Sequence, residues 1–98
     1  MSNKVDKVIE QQVGAGEGFK VRIFDLKTGL TEYEHVKIVR IISKDYNLLI
    51  MEDYLPIIGE IDGSIDIKGD NIDLSYPKIE AFYMNSKNVF NLMIKEVE

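Results

Sequence analysis

Four aspartates, closely spaced, form the densest set of side chains in this sequence that could do chemistry: Asp62, Asp66, Asp70 and Asp73. Calcium prefers several oxygen ligands, and an EF-hand loop supplies them from carboxylates at alternate positions ahead of a glycine. These aspartates instead fall in predicted turns and on the water-facing side of predicted strands. The spacing therefore predicts solvated strand faces and turn caps, with no metal site and no cofactor.

His35 is the sole histidine, and its neutral imidazole could serve as a general base. A base of this kind needs a nucleophile to activate, but cysteine is absent and the serines stand in turn-like or terminal contexts. The neighbouring carboxylates Glu52 and Asp53 share one exposed loop, which gives them no contrast in environment for separate acid and base roles. We therefore expect a surface strand histidine and no enzymatic activity.

A glycine-rich segment, Gly14-Ala15-Gly16-Glu17-Gly18, could be mistaken for a phosphate-binding loop. Such a loop follows a strand and precedes a helix, so that backbone N–H groups meet the anion. Here the order is reversed, because helical spacing of Val5, Val8, Ile9 and Val13 precedes the glycines and a strand pattern follows. Residues 1–18 are predicted to be a short helical or disordered arm ending in a linker.

Binding residues are more plausible than catalytic ones near the predicted turns. Tyr46, Tyr54 and Tyr76 lie beside turns, and tyrosine is enriched at protein interfaces because it joins apolar area to a polar tip. The alternative is that these rings pack over the ends of the core. We predict Tyr46, Tyr54, Pro56 and Tyr76 as partner-binding residues, and both interpretations stay open.

The elements that would position these residues show a period of two after Gly18. Phe19, Val21 and Ile23 alternate with basic residues, which is typical of a strand with one buried face. Between Glu32 and Ile42 the phase slips, which predicts a β-bulge near Ile38 or a strand end covered on both sides. The continuous apolar run from Leu48 to Met51 predicts a central strand.

Turn signals divide the rest of the chain. Asp62-Gly63 predicts a tight hairpin turn, Gly69-Asp70-Asn71 and Ser86-Lys87-Asn88 predict two more, and Tyr76-Pro77 predicts a break. Short strands at this spacing indicate a small antiparallel β-sandwich or partly open barrel of about 7–8 strands. The predicted organisation is an arm and linker over 1–18, one β domain over 19–95 and a polar tail over 96–98.

Composition narrows the function classes. The chain has 98 residues, a net charge of −5 and 45% hydrophobic residues, which suits one globular domain. Its basic residues form no cluster, so we expect no nucleic-acid partner, and no run of about 18 apolar residues predicts a membrane span. The absence of cysteine fits the cytoplasm, and the strong preference for lysine over arginine resembles AT-rich bacterial coding.

The order of features resembles the N-terminal β-sandwich domain of the ATP synthase epsilon subunit. The matching segments are Lys20–Ile23, the turn at Gly29, Glu34–Val39, Asn47–Met51, Leu55–Ile58, Gly63–Ile67 and Ala81–Val89. The family has a glycine-histidine pair before an alanine-proline, where this chain has Asp53, Tyr54 and Leu55 before Pro56. The family's C-terminal helical hairpin has no counterpart here. The resemblance implies a two-sheet sandwich that works by contacting other proteins, without a role on a rotary motor.

These observations favour a non-catalytic protein–protein interaction or accessory module. Its partner would be another protein or a second copy of the chain, because open sandwiches leave edge strands that can pair. The alternatives are a small-molecule-binding protein and a structural or regulatory protein of a bacterial mobile element.

Overall fold

The computed structural model describes residues 17–98, which form six β-strands and no helix. The strands are β1 (Phe19–Asp25), β2 (Gly29–Ser43), β3 (Asn47–Ile50), β4 (Ile57–Gly69), β5 (Asp73–Ser86) and β6 (Val89–Val97). The predicted mainly β class is confirmed. Apart from Glu17 and Gly18, the predicted N-terminal arm lies outside the described residues.

Five of the strands close into a barrel. The order β1-β6-β5-β4-β2-β3, together with a pairing between β1 and β2, joins β1, β6, β5, β4 and β2 into a ring. The β1–β6 pair is parallel and the other pairs are antiparallel. The prediction of a sandwich or partly open barrel with 7–8 strands is therefore wrong, because the described chain is a closed five-stranded barrel with one extra strand.

One cause of the overcount is Asp62-Gly63, which lies inside β4 and does not form a hairpin turn. Gly63 pairs with Ser43 on one side and with Ile79 on the other. A Cβ at Gly63 would overlap the carbonyl oxygen of Ile42 and lie 3.0 Å from the Cα of Ser43. The glycine therefore permits close approach of two strand backbones, where the sequence pattern predicts a change of direction.

The second cause is Tyr76-Pro77, which lies inside β5. Tyr76 pairs with Ile65 and Ile79 pairs with Gly63, and a β-bulge separates those two pairs. Pro77 falls in this interruption of the register, where its missing N–H removes no ladder hydrogen bond. A proline that would break a regular strand is thus accommodated within a bulged one.

The phase slip in β2 is a β-bulge, which was the first of the two predicted alternatives. The register between β2 and β4 shifts between Val36 and Ile38, and His35 just before it has a φ of 58°. After the bulge Val39 and Ile41 point into the core. The bulge also divides the partners of β2, since β1 pairs with residues up to Val36 and β3 pairs only beyond it.

The predicted central position of the Leu48–Met51 run is wrong. β3 lies outside the ring and pairs with β2 alone. Ile50 reaches the core, whereas Leu49 is 40% exposed. The run is apolar on both faces because it lies over the barrel wall, with Leu48 also packed against the core.

The core fills the barrel with one face of every strand. The predicted inward residues of β1, Phe19, Val21 and Ile23, are confirmed, and Tyr83 stacks on Phe90 with ring centroids 5.6 Å apart. The buried set is Phe19, Val21, Ile23, Val36, Val39, Ile41, Ile50, Ile61, Ile65, Ile67, Ile79, Ala81, Tyr83, Phe90 and Leu92. A barrel of this size is filled by its side chains.

Candidate interaction surface

The predicted partner residue Tyr46 lies just before β3, half-buried against the core. Its hydroxyl donates a hydrogen bond to the carbonyl oxygen of Glu60 at 2.6 Å and lies 2.9 Å from the hydroxyl of Tyr83. Because the one proton of Tyr46 goes to a carbonyl, Tyr83 must donate to Tyr46. The ring packs over one end of the core, which was the alternative interpretation of this residue.

Tyr83 is the hydrogen-bond donor of this pair and is almost fully buried. Burial first, and then the hydrogen bond to Tyr46 and the neighbouring charges of Tyr46 and Tyr54, raise the pKa of Tyr83 well above its ordinary value. The raised pKa keeps the phenol neutral. The pair is therefore a hydrogen-bonded element of the core end and is unsuited to proton transfer near neutral pH.

Tyr54 and Pro56 lie in the loop between β3 and β4. The loop is held by two reciprocal hydrogen bonds, from the Asp53 N–H to Asn88 Oδ1 at 2.7 Å and from Asn88 Nδ2 to Asp53 Oδ1 at 2.9 Å. Tyr54 is half-buried against the core, whereas Pro56 is exposed and lines a shallow hollow with Ile58. Of the two, only Pro56 is exposed to a partner.

Tyr76 lies away from the other predicted partner residues. Along β5 it is seven residues from Tyr83, about 23 Å at the rise of an extended strand. Burial, followed by the nearby Tyr33 and Asp25, raises its pKa. The four residues therefore do not form one surface, and their role in partner binding stays a prediction.

His35 is exposed in β2, as predicted, and its Nδ1 lies 3.0 Å from the backbone carbonyl of Glu17. This contact suits an Nδ1–H donor. Of the aspartates, Asp66 accepts a hydrogen bond from the Ser75 hydroxyl. Within residues 17–98, no three acidic or histidine side chains converge in a way that could hold a metal ion.

A row of apolar side chains crosses the outside of the barrel on four adjacent strands. Leu30 of β2 is paired with Phe24 of β1, Phe24 with Met93 of β6, and Met93 with Phe82 of β5. We call Leu30, Phe24, Met93 and Phe82 the outer belt. Because paired residues on one face of a sheet have neighbouring side chains, the belt is a continuous strip.

Each belt residue is substantially exposed: Leu30 by 47%, Phe24 by 38%, Met93 by 40% and Phe82 by 44%. Leu26, in the turn after β1, is 99% exposed beside one end of the strip. Single exposed apolar residues are common on proteins, but a contiguous row is characteristic of a contact surface. The belt is the strongest candidate for a binding site in the described part of the chain.

Charged residues border the belt in pairs of opposite sign. Arg22 Nε lies 2.9 Å from Glu32 Oε2, and Lys95 Nζ lies 3.2 Å from Glu60 Oε2. Both cations also lie over belt rings, Arg22 at 5.4 Å from the Phe24 centroid and Lys95 at 4.7 Å from the Phe82 centroid. The charges of these two pairs cancel, although the chain as a whole is acidic.

One end of the belt opens into a hollow of about 400 Å³. Its lining is mostly apolar and consists of Phe24, Asp25, Leu26, Gly29, Leu30, Met93 and Ile94. The hollow lies between the β1–β2 turn and β6. It gives the strip a concave feature that a protruding side chain or an apolar ligand can fill.

Sequence reasoning missed the belt, although a signal for it exists. The segments Ile23-Phe24, Phe82-Tyr83 and Leu92-Met93 each place apolar residues on both faces of a strand. That pattern indicates apolar residues outside the barrel, but it does not show that they meet. The parallel pairing of β1 with β6, which places Phe24 beside Met93, follows only from closure of the barrel.

Comparison with known proteins gives no guide to the function of this chain, so a proposal must rest on the geometry of the belt. No protein-family model matches the chain, and no curated protein matches its sequence. Within residues 17–98 there is no helix with the length and apolarity needed to cross a membrane.

Proposed function

We propose that this protein is a non-catalytic protein–protein interaction module that binds its partner through the outer belt. The observation that carries the proposal is the register, which aligns four exposed apolar side chains on four adjacent strands. The cytoplasm is the proposed location, supported by the absence of cysteine.

The energetics support a reversible interaction. Fully burying a Leu, Met or Phe side chain is worth about 1.5–3 kcal/mol, and the belt residues are already partly covered, so each would contribute about 1 kcal/mol. Association also costs several kcal/mol in lost translational and rotational freedom. The burial free energy of four such residues only about offsets this cost, so contacts of the border charges and Leu26 must add to it. The expected affinity is therefore moderate.

The chemistry of the other candidates supports a binding role over a catalytic one. His35 contacts a backbone carbonyl, and the raised pKa of the buried Tyr83 keeps its phenol protonated while it is hydrogen-bonded to Tyr46. Neither contact includes an activated nucleophile. The belt, by contrast, needs no reactive group to act.

Site-specific photo-crosslinking in the native host tests this function. A benzophenone amino acid at Phe82 should give discrete adducts, and the same probe at Lys68, an exposed position of β4 outside the belt, should not. A further Phe24→Ser substitution should remove the Phe82 adducts while leaving the thermal midpoint nearly unchanged. Equal labelling at Phe82 and Lys68 would contradict the proposal.

The hollow beside Leu26 supports a second candidate, binding of a small apolar ligand. Its volume of about 400 Å³ lies within the usual range for ligand sites, but the lining offers few polar groups for orientation. At least one member of a panel of alkyl and aryl carboxylates and amines should then raise the thermal midpoint of the protein. A Leu30→Trp substitution, which fills the hollow, should abolish that shift. No shift with any member would remove this candidate.

A further inference from the structure

We infer that the occupant of the outer belt is a second copy of this chain, so that two barrels pack face to face about a two-fold axis. This inference rests on the proposed function, because it names the partner of the same surface. The two copies would place their β1, β6 and β5 outer faces against each other.

Charge favours a second copy at this surface. The chain carries a net charge of −5, so two copies repel each other over most approaches. At the belt the border contains Arg22 with Glu32 and Lys95 with Glu60, two charges of each sign. Repulsion between two copies is smallest where charges of both signs cancel locally, which favours an approach at the belt.

The order of residues along the belt is also self-complementary. A two-fold axis along the strand direction, between β1 and β6, reverses the row Leu30, Phe24, Met93, Phe82. Leu30 then faces Phe82 of the second copy, and Phe24 faces its Met93. Each ring meets an aliphatic or thioether side chain, and sulfur–aromatic contacts are favourable by about 0.3–1.5 kcal/mol.

Pairing between edges is a poor alternative to packing between faces. Within residues 17–98, the strand segments paired on one side only include β3, residues 29–33 of β2 and residues 57–61 of β4. These segments are four or five residues long, and short edge strands are poor templates for strand addition, so association is expected on the outer face.

Sedimentation equilibrium of the full chain tests the inference over a wide concentration range. The weight-average mass should rise from 11.2 kDa toward twice that value. Met93→Glu, in the belt, should weaken self-association at least about tenfold, because it places a charge at the centre of the contact. Leu55→Glu, an equally drastic change at a loop residue that is 76% exposed and outside the belt, should leave it unchanged.

Two results would overturn the inference: a single-chain mass at every concentration, or equal effects of Met93→Glu and Leu55→Glu. Phe24→Ser serves as a second belt variant if Met93→Glu does not fold, as judged by its thermal transition. It should also weaken self-association.

The chain has no cysteine, so introduced thiols can report the predicted order. A bismaleimide spanning about 10 Å, the separation of packed sheets, should link Leu30→Cys to Phe82→Cys in a mixture of the two variants. Links between two Leu30→Cys chains should be fewer. A preference for Leu30–Leu30 links would overturn the reversed arrangement.

Different results would contradict the second copy as partner and the interaction module itself. If sedimentation shows only single chains while the Phe82 photo-probe captures a distinct protein that Phe24→Ser releases, the second copy is wrong and the interaction module stands. If the photo-probe captures nothing, neither another protein nor a second chain, both proposals are wrong.

Discussion

Phe82 and Tyr83 are neighbours in β5 and have opposite environments. Tyr83 is almost fully buried, stacks on Phe90 and donates a hydrogen bond to Tyr46. Phe82 is 44% exposed on the outer belt, with Lys95 over its ring. Two aromatic residues that look alike in sequence therefore have different expected roles, one in stability and one in association.

The difference shows that apolar character alone does not identify the core. Inside the barrel, a side chain is constrained by partners on all sides, so its removal leaves a cavity. Outside, the same apolar area touches only its neighbours in the row and contributes little to the folded state of one chain.

Tyr83→Ala should lower the free energy of unfolding by about 4 kcal/mol, because it removes a large ring from the packed interior. Urea denaturation followed by circular dichroism measures the change. The matched control is Phe82→Ala on the outer face, which should cost under about 1 kcal/mol. Similar losses for the two variants would show that the inner and outer faces contribute equally to stability.

Gly59→Ala should lower the free energy of unfolding by about 2 kcal/mol, because the new methyl group would overlap the ring and hydroxyl of Tyr83. The ring cannot move away, since it is held between Phe90 and Tyr46. A double-mutant cycle with Tyr83→Ala should show that the cost falls once the ring is gone. Additive effects would argue against this contact.

Tyr83→Phe should cost about 1 kcal/mol at neutral pH, because it deletes the hydrogen bond to Tyr46. It should also change the pH dependence. Since the pKa of Tyr83 is raised in the folded state, the unfolded chain loses its proton first, and stability falls as pH rises above the ordinary tyrosine pKa of about 10.

This dependence is tested by measuring the free energy of unfolding from pH 8 upward, for the unsubstituted protein and for Tyr83→Phe. Below the ordinary tyrosine pKa the contribution of Tyr83 is flat, and above it the decline should be less steep in Tyr83→Phe. Tyr76, whose pKa is also raised, should leave some decline in the variant. Equal alkaline slopes in the two forms would contradict the assignment.

Phe82→Ser should change the free energy of unfolding least, by under about 1 kcal/mol, mainly through loss of the contact with Lys95. It should nevertheless reduce self-association in the same sedimentation experiment used for Met93→Glu. A variant that unfolds readily, or one that associates normally, would remove the distinction between the two faces.

Much of the barrel interior follows from the sequence. The alternation at Phe19, Val21 and Ile23 and the slip near Ile38 predicted the buried face of β1 and the bulge in β2. Strand number did not follow, because Gly63 and Pro77 usually mark turns, yet here they lie within long bulged strands. Local conformational preference cannot show that another strand will approach closely enough to require a glycine.

The candidate site was less predictable than the fold. The tyrosines were selected for their residue type, and Tyr46 proves to be tied to Glu60 and Tyr83 at the core end. The belt depends on residues distant in sequence, such as Phe24 and Met93, which meet through parallel pairing. A pairing across this sequence separation has no local signature.

The alternating pattern of the sequence is enough to indicate β-strands in the described chain and the inward side chains of a strand such as β1, because side-chain direction alternates locally along a strand. Tertiary structure alone decided that five strands close into a ring and that four outward apolar residues form one row. Both depend on register between distant segments, which is chosen by the packing of the whole barrel and not by any one strand.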